Sequence, residues 1–126
     1  MPPKLFGVEG EKNEMYEAFK AFEKAGWERL ADSYYEVTHT STAKAADALL
    51  DAVGCVDGPA KSMRLLDVAC GPGYSAGLAA ARGAHAEGID FAASMANKAQ
   101  TLFPNATFSQ GDAENLPWPN ATFDAV

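Results

Sequence analysis

The chain has 126 residues, 48% hydrophobic and 21% charged, an ordinary composition for one small globular domain and too short for a multidomain assembly. Seventeen acidic residues against ten basic ones give a formal net charge of −7. The basic residues run from Lys4 to Lys98 without a cluster, which disfavours a nucleic-acid groove or an anionic membrane surface, since both need concentrated positive charge. No stretch approaches the ~18 consecutive apolar residues of a membrane span. Met1 to Gly10 lacks the apolar core of a secretory signal. Cys55 and Cys70 make neither a disulfide framework nor a zinc site, so a reducing, cytoplasmic setting is expected.

Pro2, Pro3, Gly7 and Gly10 mark the first ten residues as a flexible lead-in. From about Glu11 to Tyr35 the spacing is helical. Met15, Phe19 and Phe22 share one face, and Trp27, Leu30, Ala31 and Tyr34 make a second apolar stripe. Gly26 between them predicts a break, hence two short helices. Val37 to Ser41 is Thr-rich and reads as a loop. Ser41 or Thr42 then caps a helix whose core face is Ala46, Leu49, Leu50 and Val53, with Gly54 as its stop. Asp57, Gly58 and Pro59 are turn chemistry.

After this the period changes. Met63 to Ala69 is a short apolar run suited to a strand buried on both faces of a parallel sheet. Gly71-Pro72-Gly73 leads into a helix from about Tyr74 to Arg82, stopped by Gly83. Ala84 to Asp90 reads as a second strand, Ser94 to Phe103 as a helix stopped by Pro104, and Ala106 to Gln110 as a third strand. A loop containing Pro117 and Pro119 precedes Thr122 to Val126, which starts a fourth strand. Strands alternating with helices through short connections predict βαβ units with right-handed crossovers.

Ligands of open α/β sheets bind beyond the carboxyl ends of the strands. Gly71 and Gly73 follow the first such end and free the backbone for a sharp turn and a close ligand, though ordinary turns use the same pair. The helix that follows offers N–H groups to a carboxylate or phosphate. Asp90 ends the second strand, seventeen residues after Gly73. It suits both hydroxyls of a ribose and equally suits a cap on the next helix. Asp112 and the N–H of Ala113, after the third strand, can read the edge of an adenine; a plain turn is the other reading.

Leu65 to Gly73 (LLDVACGPG), Gly88-Ile89-Asp90-Phe91 through Met95, and Gly111 to Pro117 with Phe123 to Val126 resemble, in order and spacing, the motifs of class I S-adenosylmethionine-dependent methyltransferases. The resemblance is to the small-molecule "type 11" branch, which includes the ubiquinone and menaquinone biosynthesis methyltransferases. It implies a Rossmann-like, doubly wound parallel α/β sheet, with residues 1–60 as an N-terminal helical arm and 61–126 as the cofactor-binding half. It also implies roles. Asp67 would organise the amino group of the methionine moiety, which would lie against Ala69, Gly71 and Gly73. Asp90 would hold the ribose, Phe91 and Met95 would sandwich the adenine, and Asp112 and Ala113 would read its edge. Tyr34, in a Trp27-x-x-x-Ala31-x-x-Tyr34 pattern, would touch the cofactor from the arm.

Two departures stand out. Ala69 occupies a glycine position, tolerable with a negative backbone angle. Ala92 occupies a frequent serine position and gives up a helix cap of about 1 kcal/mol. Cys70 reads as a small buried residue, His39 and His85 as structural or surface residues, and Trp118 as packing. The Asn105 and Asn120 sequons read as silent without a signal peptide. No metal site is expected. The acceptor and any catalytic base are not legible, because in this family they follow the fourth strand, inside which the chain stops at Val126. That uncovered apolar edge predicts self-association. The implied partner is a small-molecule methyl acceptor. A non-catalytic nucleotide-binding or interaction module and an NAD-dependent oxidoreductase are the other readings.

Overall fold

Nothing between Pro3 and Pro59 forbids helix, and the computed structural model, which describes residues 8–126, shows one continuous helix there, α1 (Val8–Ala52). This corrects the expected division into three helices. A glycine inside a helix costs about 1 kcal/mol against alanine, so Gly26 weakens the run without breaking it. In the Thr-rich stretch, the Thr38 hydroxyl donates to the Tyr34 carbonyl at 2.6 Å, so the side chain is satisfied within the helix and does not compete with it. Packing against two later helices supplies the rest. Most of the expected flexible lead-in, residues 1–7, lies outside the described residues; Val8 to Gly10 already belong to α1.

The buried line of α1 runs through Ala31, Ala46 and Leu50. Met15, Phe19 and Phe22, although correctly placed on one face, are 70%, 58% and 70% exposed. Leu49 and Val53, expected in the core, are exposed as well. A straight helix of this length turns only one line of side chains toward the small domain beneath it.

Three parallel strands follow, β1 (Arg64–Val68), β2 (His85–Asp90) and β3 (Thr107–Gln110), in spatial order β1-β2-β3. They are joined by α2 (Tyr74–Ala81) and α3 (Ala93–Leu102). The register pairs Asp67 with Gly88 and Asp90 with Gln110, so the carboxyl ends of all three strands share one rim of the sheet. The expected fourth strand is a single parallel bridge from Leu65 to Ala125, on the side of β1 away from β2. Here the Asp124 carboxylate accepts from the Arg64 amide at 2.8 Å, so the segment is held to β1 by a side chain as well as by backbone hydrogen bonds. Because β1 has β2 on one side and Ala125 on the other, the rim above β1 is a topological switch point.

The core under α2 is built mostly of small residues: Ala60, Ala76, Ala79, Ala84, Ala86 and Ala106, with Leu50, Cys55 and Leu65. Small side chains bring α2 close to the strands. Arg82, just past α2, donates to Asp47, Asp51 and the Cys55 carbonyl at 2.6–2.8 Å, fastening the last turns of α1 to the domain.

Candidate functional site

The rim above β1 is made by the turn Ala69-Cys70-Gly71-Pro72-Gly73. Ala69 has φ +56°, which overturns the negative angle expected there. An L-residue in the left-handed region is strained by about 1–2 kcal/mol, part of which glycine gives back as unfolded-chain entropy. Ala69→Gly is therefore expected to stabilise the chain by about 0.5–1 kcal/mol, read from urea unfolding. Gly71 and Gly73 also have positive φ, +53° and +87°, but for different reasons. A Cβ on Gly71 would meet nothing within 4 Å, so this backbone faces open space. A Cβ on Gly73 would lie 2.5 Å from the Ala99 Cβ and 2.8 Å from the Phe108 ring, so this glycine serves packing against α3 and β3.

Asp90 is 6% exposed. Its Oδ2 accepts from the Gly71 amide at 2.8 Å and its Oδ1 from the Ala92 amide at 3.0 Å. One carboxylate thus braces the turn after β1 and the entry to α3. Two lone-pair positions remain for further donors. Asp67, half-buried at the end of β1, has its pKa pushed up to about 6, chiefly by burial; the Asp90 charge adds to this, and the Ala76 amide opposes it. The folded chain therefore binds this proton more tightly than the unfolded chain. The resulting stabilisation is fully present below the ordinary carboxylate value and is lost as the pH rises through about 6. Cys70 is buried beside both carboxylates, and burial first, then their charges, push its thiol far up, so it stays protonated and acts as packing.

Helix α1 crosses this rim. Tyr34, Tyr35, Thr38 and His39 face Asp67 and Gly71 across a cavity of about 180 Å³. His39, read from sequence as structural or surface, is exposed and also lines this cavity. Its ring stacks on Tyr35, with centroids 5.2 Å apart. A second, larger cavity of about 440 Å³ opens between α1 and the ends of β2 and β3, where Phe91, Gly111 and Asp112 face Lys20 and Lys24. The Lys20 ammonium donates to Asp112 at 2.7 Å and to Glu114 at 2.9 Å, and the Tyr16 hydroxyl also donates to Glu114. Lys20 holds the Asp112 carboxyl below its usual range, and Tyr16 followed by Lys20 does the same for Glu114.

The structure therefore brings Tyr34, Asp67, Ala69 and Gly71 around the first cavity, and Phe91 and Asp112 around the second. Four expected site residues line neither cavity: Gly73 packs against α3 and β3, Asp90 is buried with its carboxylate on the Gly71 amide, and Met95 and Ala113 sit elsewhere. Met95 is 2% exposed and packs under α1 with Trp27, Ala31, Phe91 and Ala92. Ala113 is exposed and lines a third hollow, with Leu116 and Trp118. Sequence reasoning missed Lys20, Tyr16 and Glu28 altogether. The Glu28 carboxylate accepts from the amides of Ala93 (2.6 Å) and Ser94 (2.9 Å) across 65 and 66 residues of chain. The one sequence signal was negative: the residue at the cap position before α3 is Ala92, which has no capping side chain of its own.

Among the described residues no three His, Cys, Asp or Glu side chains are grouped to hold a metal ion, and no helix is long and apolar enough to cross a membrane.

Residues 65–126 match the family described as "Methyltransferase domain". The chain is 38% identical over 78 residues to a demethylmenaquinone methyltransferase of Renibacterium salmoninarum, covering 62% of this chain and 31% of that protein. It is 36% identical over 64 residues to a malonyl-[acyl-carrier protein] O-methyltransferase of Erwinia billingiae, covering 51% and 26%. The chain thus spans about a third or less of these curated relatives. Among solved structures it resembles magnesium protoporphyrin IX methyltransferase of Synechocystis with bound SAH, at 26% identity and a TM-score of 0.51, over 64% of this chain and 38% of that one.

Proposed function

This chain belongs, through residues 65–126, to the class I S-adenosylmethionine-dependent methyltransferases, and from that membership we propose that it forms the cofactor-binding part of an enzyme that methylates a small molecule. The observation that carries the reading is Asp90: a buried carboxylate at the switch-point rim, bracing the Gly71 turn and keeping acceptor positions free beside a glycine whose Cβ side is open. When bound, the cofactor supplies a sulfonium methyl group that an acceptor takes by in-line displacement. The residues present fit that ligand. Asp67, once ionised, offers a carboxylate to the ammonium of the methionine moiety, and Ala69, Gly71 and Gly73 give it a backbone bed. Asp90 receives the ribose hydroxyls. Phe91 flanks the adenine, and Met95 backs Phe91 from the core. Asp112 and the N–H of Ala113 read the adenine edge, with the Asp112 carboxylate shared with Lys20. Tyr34 closes the first cavity from the arm and keeps water out, the main service a protein renders a donor that already carries a good leaving group.

The likeness to a demethylmenaquinone methyltransferase supports an acceptor of small-molecule type. The net charge of −7 argues against nucleic acid and fits a cytoplasmic protein. The exposed Leu49, Val53 and Val126 beside the Ala125 bridge support self-association at that edge.

Calorimetric titration with S-adenosylhomocysteine tests the reading. One site per chain is expected at pH 7.5. At pH 5 the affinity is expected to fall about tenfold, because a carboxyl with a pKa of about 6 is then mostly protonated. Asp67→Asn should remove most of that pH dependence. A folded chain that binds no S-adenosylhomocysteine, or that exchanges it freely for NAD, would overturn the proposal.

A further inference from the structure

The start of α3 has two carboxylates on it and no cap of its own. Asp90 takes the Ala92 amide, while Glu28, from the middle of α1, takes the next two, Ala93 and Ser94. A helix N-terminus leaves its first amides without intrahelical partners, and a serine or aspartate at the cap position ordinarily serves them. Here Ala92 cannot, and the acceptor is supplied from another helix. The consequence is mechanical. A local cap would steady α3 alone, whereas Glu28 also ties α1 to the segment that carries Asp90, Phe91 and Ala92. The bond lies beside the small packed cluster of Trp27, Ala31, Ala92 and Met95, and three residues before Ala31, a buried residue of α1. Farther along the same helix, Tyr34 faces Asp67 and Gly71. In the other direction Lys20 reaches Asp112. Glu28 is thus a fixed point between the two ends of the arm that border the cavities, one helical turn from the Asp32–Lys98 ion pair that also joins α1 to α3 at 3.0 Å. The amide bonds from Ser94 and Ala93 also hold its carboxyl below the usual range, so it is ionised throughout the neutral region.

We infer that Glu28 is a positioning residue: by capping α3 from α1 at 2.6 and 2.9 Å it holds the arm across the cofactor site, so that arm closure and the Asp90–Phe91 segment move together. The inference rests on the proposed cofactor site only for its effect on binding; the docking of the arm is independent of any ligand.

The test uses the full chain with Glu28→Ala, Glu28→Gln, and Glu28→Ala combined with Ala92→Ser. The last variant restores a local cap without the tether. Amide hydrogen exchange in the free chain is the first readout. Glu28→Ala is expected to speed exchange about tenfold or more both in α1 around residues 24–35 and at the start of α3. Ala92→Ser should restore protection to α3 but leave α1 fast. The second readout is S-adenosylhomocysteine affinity, expected to fall about tenfold in Glu28→Ala, to stay low with the added serine, and to fall less in Glu28→Gln, which keeps one acceptor oxygen. If the serine restores α1 protection or affinity, Glu28 is only a helix cap and the inference fails. It also fails if exchange in α1 does not change in Glu28→Ala. A wild-type chain that binds no S-adenosylhomocysteine would sink the proposed function while leaving the exchange result to decide the tether.

Discussion

Asp90→Ala is expected to abolish measurable S-adenosylhomocysteine binding and to lower stability by about 2–5 kcal/mol. The carboxylate it removes bonds both the Gly71 turn and the entry of α3. Its loss strands two amides, one of them on the fully buried Ala92, and each buried amide left without a partner costs about 1–3 kcal/mol. The binding effect is expected to exceed the stability effect, because the turn that should receive the methionine moiety and the group that should receive the ribose are lost together. Asp90→Asn separates the two. An amide oxygen accepts one of the bonds, so stability should recover in part, while two ribose hydroxyls would face one donor and one acceptor in place of two acceptors. Urea unfolding and calorimetry on the two variants check this. Wild-type affinity in Asp90→Ala would contradict the ribose assignment, and wild-type stability would contradict the brace.

Gly73→Ala is expected to cost about 3 kcal/mol or more, enough to remove the cooperative melt of a small domain. The left-handed backbone at φ +87° penalises any Cβ by about 1–2 kcal/mol. The new methyl would also sit 2.5 Å from the Ala99 Cβ and 2.8 Å from the Phe108 ring, in a region where α3, β3 and the turn already touch. Overpacking of that kind costs about 1–3 kcal/mol. Gly71→Ala is the matched control. Its φ of +53° carries the same backbone penalty, but its Cβ would point into open space. It should therefore fold, with reduced stability, and lose S-adenosylhomocysteine affinity by steric hindrance. Equal stability losses in the two variants would show that packing at Gly73 is not the deciding effect.

These two glycines show how far the site was legible beforehand. Their spacing marked the turn correctly, and the register of β1, β2 and β3 placed Asp67 and Asp90 on one rim, with Asp112 two residues past β3 beside Phe91 and Gly111. Local sequence carried that much because strand ends and glycine turns are short-range features, repeated at the intervals of a βαβ unit. Which glycine faces open space and which is enclosed by packing was not legible, since the neighbours of Gly73 come from 26 and 35 residues away. Ala69 was misjudged for a related reason: the backbone angle there is imposed by the closing of the turn against Ile89, whose carbonyl accepts from the Cys70 amide at 3.0 Å.

The helical arm marks the other boundary. Periodicity identified helix from Glu11 onward, yet Gly26 and the Thr-rich stretch suggested breaks that packing overrode. A break of about 1 kcal/mol is decided by whatever the helix rests on, and α1 rests on α2 and α3, which lie later in the chain.

By itself, the sequence determined the alternation of strand and helix, the turn after β1, the carboxylates at the strand ends and, through their order, the family. The tertiary structure alone decided that the arm is one helix, that Met95 is buried while Lys20 reaches Asp112, and that Glu28 caps α3. The division follows from range. Propensities and turns act over a few residues and are written locally, whereas a lysine's choice of carboxylate 92 residues away depends on how the elements pack once they exist.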